Sequence, residues 1–562
     1  ACVDSMDVLA AVRSYVTKAV KLAQGMKVLL LDDETTPIIS LALSQSEILK
    51  EEVYLFEKIN QDKREAMPHL QAICFFRPTE DTLEALKKEL RNPKYGTYYL
   101  FFTNTVNENY LRQIAYADEL EVIKEVHEFY ADFYAVNPDT FHLNLTGPGV
   151  LDSNQPSWSS HLGRITDGLA ACLLSLKIRP VVRAQRTSSL AIQVGQAIKS
   201  RIENSSTFHV GTKANAPLLL IMDRCEDPVT PLLTAWTYQA MLHQLLNMKN
   251  NRMDLSHVPS IRDELKQVVV SSTQDDFYKA HMYDDFGDLG VAIKDFVDRF
   301  QEETNSNSKL ESIEDIKRFV EKYPDFRKTS GSVSKHVALM GELQRVTQSR
   351  KLLTVSPVEQ ELACHEDHSA AVEAVRELLN TPGGIDKGDA LRVVLLYALR
   401  YASNTSNCME EFVNILLRTY QIPDYHLVVI RLLREWCSPN KRSQGLDLLE
   451  NQNWLSSMSS KMKRGLVGVS NIFTQHEPLL KKITTLLKEQ KLDSQAYPYV
   501  VGQPPRNPPT EVIIFVVGGI TYEEAAMVNA LNKVDGFSYV LGGTGMVRPD
   551  EFLSDVLSLK RN

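Results

Sequence analysis

The most informative stretch of the sequence is residues 218–246, LLLIMDRCEDPVTPLLTAWTYQAMLHQLL. It begins with five apolar residues in a row, which is typical of a strand buried on both faces of a parallel sheet. Asp223 and Asp227 follow that strand at the sheet edge where ligands bind, so they could hold a metal ion or act as acid and base. They could also pair internally, with Asp227 and Pro228 turning the chain. We favour the internal role, because no histidine cluster or phosphate-binding loop accompanies the two carboxylates.

The first third of the chain alternates short apolar runs with amphipathic segments. The apolar runs are residues 27–31 (KVLLL), 53–56 (VYLF), 72–76 (AICFF) and 98–102 (YYLFF). Continuous apolar strands separated by helices indicate a parallel sheet that is covered on both faces. The pattern predicts one doubly wound α/β domain over residues 1–135.

Strand-like runs return on either side of a long, nearly strand-free region. These runs are residues 141–145, 217–222, 511–517 and 537–541. We predict a second α/β domain that is split between residues 136–236 and 476–562, with a mostly helical domain of residues 237–475 inserted into it. The predicted fold class is α/β plus α, with two doubly wound α/β domains and a large helical insertion.

Two other motifs allow a chemical interpretation. Gly518-Gly519 and residues 542–545 (GGTG) follow strands and could cradle a phosphate, but neither matches a phosphate-binding pattern, and glycines at strand ends more often serve turns. Residues 364–368 (CHEDH) are rich in metal ligands but lack a partner cluster, which favours a solvated helix start. We expect no catalytic residues, no cofactor and no metal. The alternative is a nucleotide- or metal-dependent enzyme that uses Asp223 and Asp227.

The overall composition excludes several classes of protein. The formal net charge is −9, which disfavours nucleic acid as a partner. No apolar run approaches the length of a membrane span. The seven cysteines are scattered and never form a C-x-x-C pair, which is typical of free thiols in a reducing compartment. We expect a cytoplasmic protein.

Residues 218–246 also resemble a signature of the Sec/Munc (SM) family of SNARE-binding proteins. The matching residues are Asp223, Arg224, Asp227, Thr230, Pro231, Thr237, Tyr238, Gln239, Ala240 and Met241. Residues 27–35 (KVLLLDDET), 358–363 (VEQELA) and 516–524 (VVGGITYEE) match as well. The resemblance runs from Met6 to the C-terminus and is greatest to the endosomal and trans-Golgi branch of the family. It implies an arch of three domains, in which the signature residues are structural.

The resemblance also implies a function. SM proteins bind syntaxin-type SNAREs, vesicle SNAREs and assembled SNARE complexes, and they promote SNARE assembly for membrane fusion in vesicle transport. They are not known as enzymes. For this chain the resemblance implies a monomer that is recruited to Golgi and endosomal membranes peripherally, through the SNARE.

A first binding site implied by the resemblance is a pocket on domain 1 for the N-terminal peptide of a syntaxin. Its residues would be Leu111, Ile114, Val126 and Glu128. The apolar positions among them, together with Val122, fall at helical spacings, so an exposed apolar patch is a physically reasonable anchor. The alternative is that these side chains pack into the core of the domain, since one position separates the two faces of a helix.

A second implied site is a helical hairpin around residues 300–355 of domain 3 that binds SNAREs. Pro324 aligns with a family proline near its tip, and Val337 aligns with an apolar contact on the returning helix. Proline disfavours the helical conformation at the preceding Tyr323, so we expect a bent tip. The polar residues 302–309 (EETNSNSK) predict a loop in the same hairpin.

Overall fold

A computed structural model of the protein describes residues 6–61, 63–147, 149–208, 216–259, 261–307, 313–443, 472–505, 507–534 and 536–559, with the backbone alone for residues 206, 303–307 and 313–327. The chain divides into two units. The first comprises Ala1–Arg224, Ile483–Ile520 and Met527–Met546, and the second comprises Cys225–Lys482, Thr521–Ala526 and Val547–Asn562.

The described elements alternate in the first third and are mainly helical in the middle. The strands are β1 (Lys27–Leu31), β2 (Val53–Lys58), β3 (Met67–Phe76), β4 (Tyr95–Phe102), β5 (Ile123–Glu128), β6 (Tyr134–Asn137), β7 (Thr140–His142), β8 (Val181–Ala184), β9 (Leu218–Asp223), β10 (Arg252–Asp254), β11 (Gln267–Val269), β12 (Tyr499–Val501), β13 (Glu511–Val517) and β14 (Ser538–Gly543). The α-helices are α1 (Val8–Leu22), α2 (Thr35–Ala42), α3 (Gln45–Leu49), α4 (Glu80–Arg91), α5 (Glu108–Ala117), α6 (Trp158–Ser175), α7 (Ser189–Asn204), α8 (Tyr238–Leu246), α9 (Asp276–His281), α10 (Phe286–Asn307), α11 (Ile313–Ser349), α12 (Leu352–Cys364), α13 (His368–Leu379), α14 (Lys387–Tyr401), α15 (Met409–Arg418), α16 (Asp424–Trp436), α17 (Leu479–Lys488), α18 (Tyr522–Val534) and α19 (Pro549–Leu557).

A five-stranded parallel sheet is built from the apolar runs of the first third. Its strand order is β2-β1-β3-β4-β5. The inner strands are buried along most of their length because helices cover both faces. The two edge strands, β2 and β5, are partly exposed.

A seven-stranded sheet joins segments from both ends of the chain, in the order β12-β8-β9-β13-β14-β7-β6. The strand β13 lies parallel between β9 and β14, with Ile513 opposite Leu219. Arg183 of β8 holds the returning segment: its guanidinium donates to the carbonyl oxygens of Tyr497 (2.7 Å), Leu492 (3.0 Å) and Asp493 (2.9 Å). The seven-stranded sheet therefore contains two neighbouring strands, β9 and β13, that are almost 300 residues apart in the sequence. The division into the three domains given above stays a prediction.

Among the residues that the structure describes in the second unit, the strands are limited to the short antiparallel ribbon β10–β11, which the sequence patterns missed, and the other regular elements are helices. In the hairpin, α10 reaches Asn307, so the predicted loop is wrong for residues 302–307, while residues 308–309 of that prediction lie outside the described residues. The helix α11 runs without interruption through Tyr323 and Pro324. The prediction that proline would keep Tyr323 out of the helical conformation is therefore wrong. Proline removes one backbone hydrogen bond at this turn, but the helix continues on both sides of it.

Candidate functional site

The helix α5 carries the first of the candidate binding residues. It begins after Asn107, whose side chain accepts a hydrogen bond of 2.8 Å from the backbone N–H of Tyr110. Leu111 is 38% exposed, whereas Ile114 is 2% exposed and packs into the core of the five-stranded sheet. The boundary of the buried stripe of α5 therefore passes between these two residues. Ile114 is a core side chain and is not available to a bound peptide, contrary to its place in the implied pocket.

Val126 and Glu128 lie on the edge strand β5, so the helical spacing that linked Val122 and Val126 to Leu111 was the wrong periodicity. The Asp118 side chain accepts hydrogen bonds from the backbone N–H groups of Val122 (2.8 Å) and Ile123 (3.1 Å), which ends the helical turn and starts the strand. Val126 is 43% exposed on that strand. Successive side chains of a strand point to opposite faces, and this alternation exposes Val126. The helical spacing does not account for that exposure.

Glu128 joins the end of β5 to the segment in front of α5. Its carboxylate accepts hydrogen bonds from the backbone N–H of Val106 (2.7 Å) and from the hydroxyl of Tyr130 (3.0 Å). Burial and the neighbouring Glu128 charge raise the pKa of Tyr130. Glu128 therefore holds together the two elements that carry Leu111 and Val126.

Two further apolar side chains are exposed in the same part of the chain and were not predicted. Tyr116, near the end of α5, is 82% exposed, and Leu120, in the following turn, is 62% exposed. We call Leu111, Tyr116, Leu120 and Val126 the 111–126 surface. Exposed apolar groups of this size are a common feature of protein-binding surfaces.

The hairpin helix α11 presents its candidate residue outward. Val337 is half-exposed, whereas the preceding His336 is completely buried. For Pro324 the structure gives the helical backbone and not the side chain. The two hairpin residues therefore lie on one helix, thirteen positions apart.

The first signature residues close the end of strand β9. The Asp223 carboxylate accepts a hydrogen bond of 2.6 Å from the hydroxyl of Ser188, and the Asp223 backbone N–H donates to the side-chain oxygen of Gln185 (2.8 Å). The Arg224 guanidinium is buried and donates to the backbone carbonyl of Gly519. The Asp223 side chain therefore links the end of β9 to the start of α7, and the Arg224 side chain links it to the turn that follows β13.

Asp227 organises the turn that contains Thr230 and Pro231. Its carboxylate accepts hydrogen bonds from the backbone N–H groups of Val229 (3.1 Å), Thr230 (3.0 Å) and Leu479 (3.1 Å), and from the Thr230 hydroxyl (2.5 Å). Pro231 lies in the first turn of a short 3₁₀ helix (Thr230–Leu232), where its missing N–H is not needed. The Asp227 oxygens are thus fully used by the protein itself.

The remaining signature residues hold the second unit together. Gln239 donates its backbone N–H to the carbonyl oxygen of Met282 (2.9 Å), and the Tyr238 hydroxyl pairs with His336 (2.8 Å). Glu523 accepts three hydrogen bonds, from the N–H groups of Trp236 and Thr237 and from the Thr237 hydroxyl. Burial raises the pKa of Glu523.

The glycine turns that could have cradled a phosphate are closed by the protein. Gly518 and Gly519 have φ of +98° and +95°, a conformation that favours glycine, and the Gly518 N–H donates to the Thr544 hydroxyl. A Cβ at Gly542 would lie 2.4 Å from the Phe141 ring. Within the described ranges, no three His, Cys, Asp or Glu side chains are grouped as a metal site. In the 364–368 stretch, Asp367 caps α13.

Comparison with known proteins decides the family. The sequence profile described as the Sec1 family matches residues 27–555. This chain belongs to the Sec1 family. The family assignment agrees with the parallel sheets and the helical insertion, and it confirms both the resemblance and the predicted fold class.

Two similar relatives bear the same name. The chain is 45% identical to vacuolar protein sorting-associated protein 45 of Dictyostelium discoideum, over 98% of this chain and 97% of that protein. It is 44% identical to the protein of the same name from Rattus norvegicus, over 98% of this chain and 96% of that protein. These identities confirm the greatest resemblance to the endosomal branch.

A solved structure supports the same relationship. The chain matches the SM protein Vps45 in complex with the Qa SNARE Tlg2 with a TM-score of 0.89 and 41% identity, covering 98% of this chain and 97% of that one. Among the helices described for the present protein, none combines the length and the apolar character needed to cross a membrane.

Proposed function

We propose that this protein binds a syntaxin-type SNARE and assembled SNARE complexes, and promotes SNARE assembly for vesicle fusion in endosomal, trans-Golgi and vacuolar transport. The observation that carries the proposal is the match over nearly the whole chain to Vps45, a protein whose solved complex contains the Qa SNARE Tlg2. Function at Golgi and endosomal membranes would then depend on recruitment by the SNARE.

The 111–126 surface is the proposed site for the N-terminal peptide of the syntaxin. Its support is physical: Leu111 and Val126 are exposed apolar side chains on a helix and a sheet edge that Glu128 connects. When apolar side chains of a peptide cover such groups, apolar surface leaves water and the free energy of the complex is lowered. An edge strand also offers unpaired backbone groups to an extended peptide.

The hairpin of α10 and α11 is the proposed site for SNARE helices, with Val337 as a contact and Pro324 as the residue that influences the form of the tip. The exposed position of Val337 on a long helix favours this role. A helix that packs on α11 would bury the Val337 side chain.

The alternative of a nucleotide- or metal-dependent enzyme loses its physical basis at the residues that suggested it. The carboxylate oxygens of Asp223 and Asp227 accept hydrogen bonds from other groups of the protein, and protein atoms fill the space beside the glycine turns. We therefore propose a binding role and not a catalytic one. Thermal unfolding with nucleotides and divalent metal ions tests this, because a specific ligand would raise the unfolding midpoint.

A binding experiment tests the proposed function itself. The cytosolic region of an endosomal syntaxin-type SNARE is titrated into the protein by calorimetry, with the cytosolic region of a plasma-membrane syntaxin as the control. We expect tight binding of the first and weaker binding of the second. Equal, weak heats for both would contradict the proposal.

A further inference from the structure

A buried carboxylate fixes the returning helix of the hairpin to the body of the second unit. Asp275 precedes α9 and caps it by accepting a hydrogen bond of 3.0 Å from the backbone N–H of Tyr278. The same carboxylate contacts three side chains of one turn of α11: the Ser332 hydroxyl (3.2 Å), the His336 ring Nε2 (2.9 Å) and the Lys335 ammonium. One side chain therefore holds two helices at once.

His336 continues this connection to a third helix. Its other ring nitrogen, Nδ1, lies 2.8 Å from the hydroxyl of Tyr238, the first residue of α8. A neutral imidazole satisfies both contacts when Nε2–H donates to Asp275 and Nδ1 accepts from Tyr238. The His336 ring also packs on the Phe277 ring, with centroids 4.6 Å apart. His336 is completely buried, so its position admits little rotation of α11.

We propose that Asp275, His336 and Tyr238 are positioning residues for the SNARE surface of α11. We call these three residues the hairpin anchor. The inference rests on the proposed function, because it assumes that Val337 contacts a SNARE. The imidazole of His336 lies between Asp275 and Tyr238, and this fixes the rotation of α11 about its axis and its position along that axis. Because Val337 directly follows His336, the same contacts determine where the Val337 side chain projects.

The charges around the anchor explain why the acceptor must be a carboxylate. Burial alone would raise the pKa of Asp275, but the hydrogen bond from His336 and the positive charge of Lys335 hold it well below its ordinary value. The carboxylate thus stays ionised and accepts hydrogen bonds on both of its oxygens, whereas an amide has only one acceptor oxygen. His281 on α9 and Tyr278 also lie within the electrostatic surroundings of the anchor, and neither supplies another negative charge at neutral pH.

The variant Asp275→Asn distinguishes the two roles of this residue, the contact to α11 and the cap of α9. Asparagine is a good cap, so its side-chain oxygen can still accept from the Tyr278 N–H. Its NH₂ group would then face donors on Lys335 and His336, which breaks the contact to α11. The neighbouring Asp276→Asn is a matched control, because Asp276 is an exposed residue of the same helix. Tyr238→Phe is a second variant, which removes only the hydroxyl that pairs with His336.

The experiment measures two quantities on the full-length chain. The first is hydrogen exchange of the backbone amides in residues 328–345, compared with that of the five-stranded sheet. The second is the Kd for the cytosolic region of a vesicle SNARE, compared with the Kd for a syntaxin N-terminal peptide. We expect Asp275→Asn to speed exchange in residues 328–345 and to weaken vesicle-SNARE binding by about tenfold, the effect of losing one charge-assisted hydrogen bond. Peptide binding and the exchange of the sheet stay unchanged.

The possible outcomes separate the inference from the proposed function. Unchanged exchange in both Asp275→Asn and Tyr238→Phe overturns the anchor. Faster exchange with an unchanged vesicle-SNARE Kd overturns its positioning role. If the wild-type chain binds the syntaxin peptide and no vesicle SNARE, the hairpin part of the proposed function fails and the inference fails with it. An effect of equal size in Asp276→Asn also contradicts the inference.

Discussion

The Asp227 carboxylate accepts a hydrogen bond of 3.1 Å from the backbone N–H of Leu479, 252 residues further along the chain. The same carboxylate shapes its own turn through Thr230. This part of the most distinctive motif thus joins two segments of the second unit that are distant in the sequence. The proposed SNARE contacts lie instead on side chains whose neighbouring sequence is unremarkable, such as Leu111 and Val337.

Replacing Asp227 by alanine should destabilise the second unit strongly. The change leaves several buried N–H groups without an acceptor, at a cost of about 3 kcal/mol or more. Urea unfolding followed by circular dichroism measures the effect. Asp254→Ala is the control, because Asp254 is exposed and its carboxylate accepts a hydrogen bond from the backbone N–H of Ser256 in a surface turn. Equal stability of the two variants would disprove the structural role of Asp227.

Leu111→Arg should abolish binding of the syntaxin N-terminal peptide and leave the fold intact. The charge would enter an apolar contact, which we expect to raise the Kd by at least about tenfold. Fluorescence titration of a labelled peptide measures it. Tyr54→Arg is a matched control, because Tyr54 is an exposed apolar residue of β2, at the opposite edge of the same sheet. A peptide affinity that falls equally in both variants argues against the 111–126 surface.

Ile114→Ala should behave as a core substitution. Its side chain is 2% exposed, so truncation should lower the free energy of unfolding by about 2–5 kcal/mol. Below the unfolding transition, the affinity for the syntaxin peptide should change little. Thermal unfolding and peptide titration on the same preparation separate the two effects. A large loss of affinity with normal stability would return Ile114 to the pocket.

The stability of the second unit should decrease in mild acid because of His336. Burial lowers the pKa of His336 below its ordinary value of 6.5. The hydrogen bond that His336 donates to Asp275 opposes this lowering, and the charges of Lys335 and His281 add to it. The unfolded chain therefore binds the proton more readily, so the stabilising contribution present above pH 6.5 is lost as the pH falls. The variant His336→Gln lacks this contribution to the pH dependence of stability. The wild type should therefore lose its advantage in unfolding free energy over His336→Gln as the pH falls from about 7.5 to 5.5. A difference that stays constant over this range contradicts the prediction.

The fold was largely predictable because its strands are continuous apolar runs. Residues 27–31 and 511–517 have no polar position at all beyond their first residue, and such runs occur at the centre of parallel sheets. The way in which the two sequence segments of the seven-stranded sheet join was harder to predict. It depends on Arg183, whose partners are backbone carbonyl oxygens, and those leave no trace in the side-chain pattern.

The candidate sites were less predictable than the fold. Leu111 and Ile114 are both apolar and three positions apart, so only the packing of α5 on the sheet distinguishes them. Val126 was placed on a helix because the cap at Asp118, which starts β5, depends on a side-chain hydrogen bond that spacing does not reveal. Tyr323 adopts a helical conformation although Pro324 follows, because the long helix α11 outweighs the local preference.

The most direct test of the SNARE-binding proposal is gel filtration with light scattering of the protein mixed with the cytosolic region of an endosomal syntaxin-type SNARE. The proposal predicts a one-to-one complex that persists at concentrations near 1 μM, which corresponds to a binding free energy of about −8 kcal/mol. Separate elution of the two proteins at concentrations of roughly tens of micromolar would contradict it.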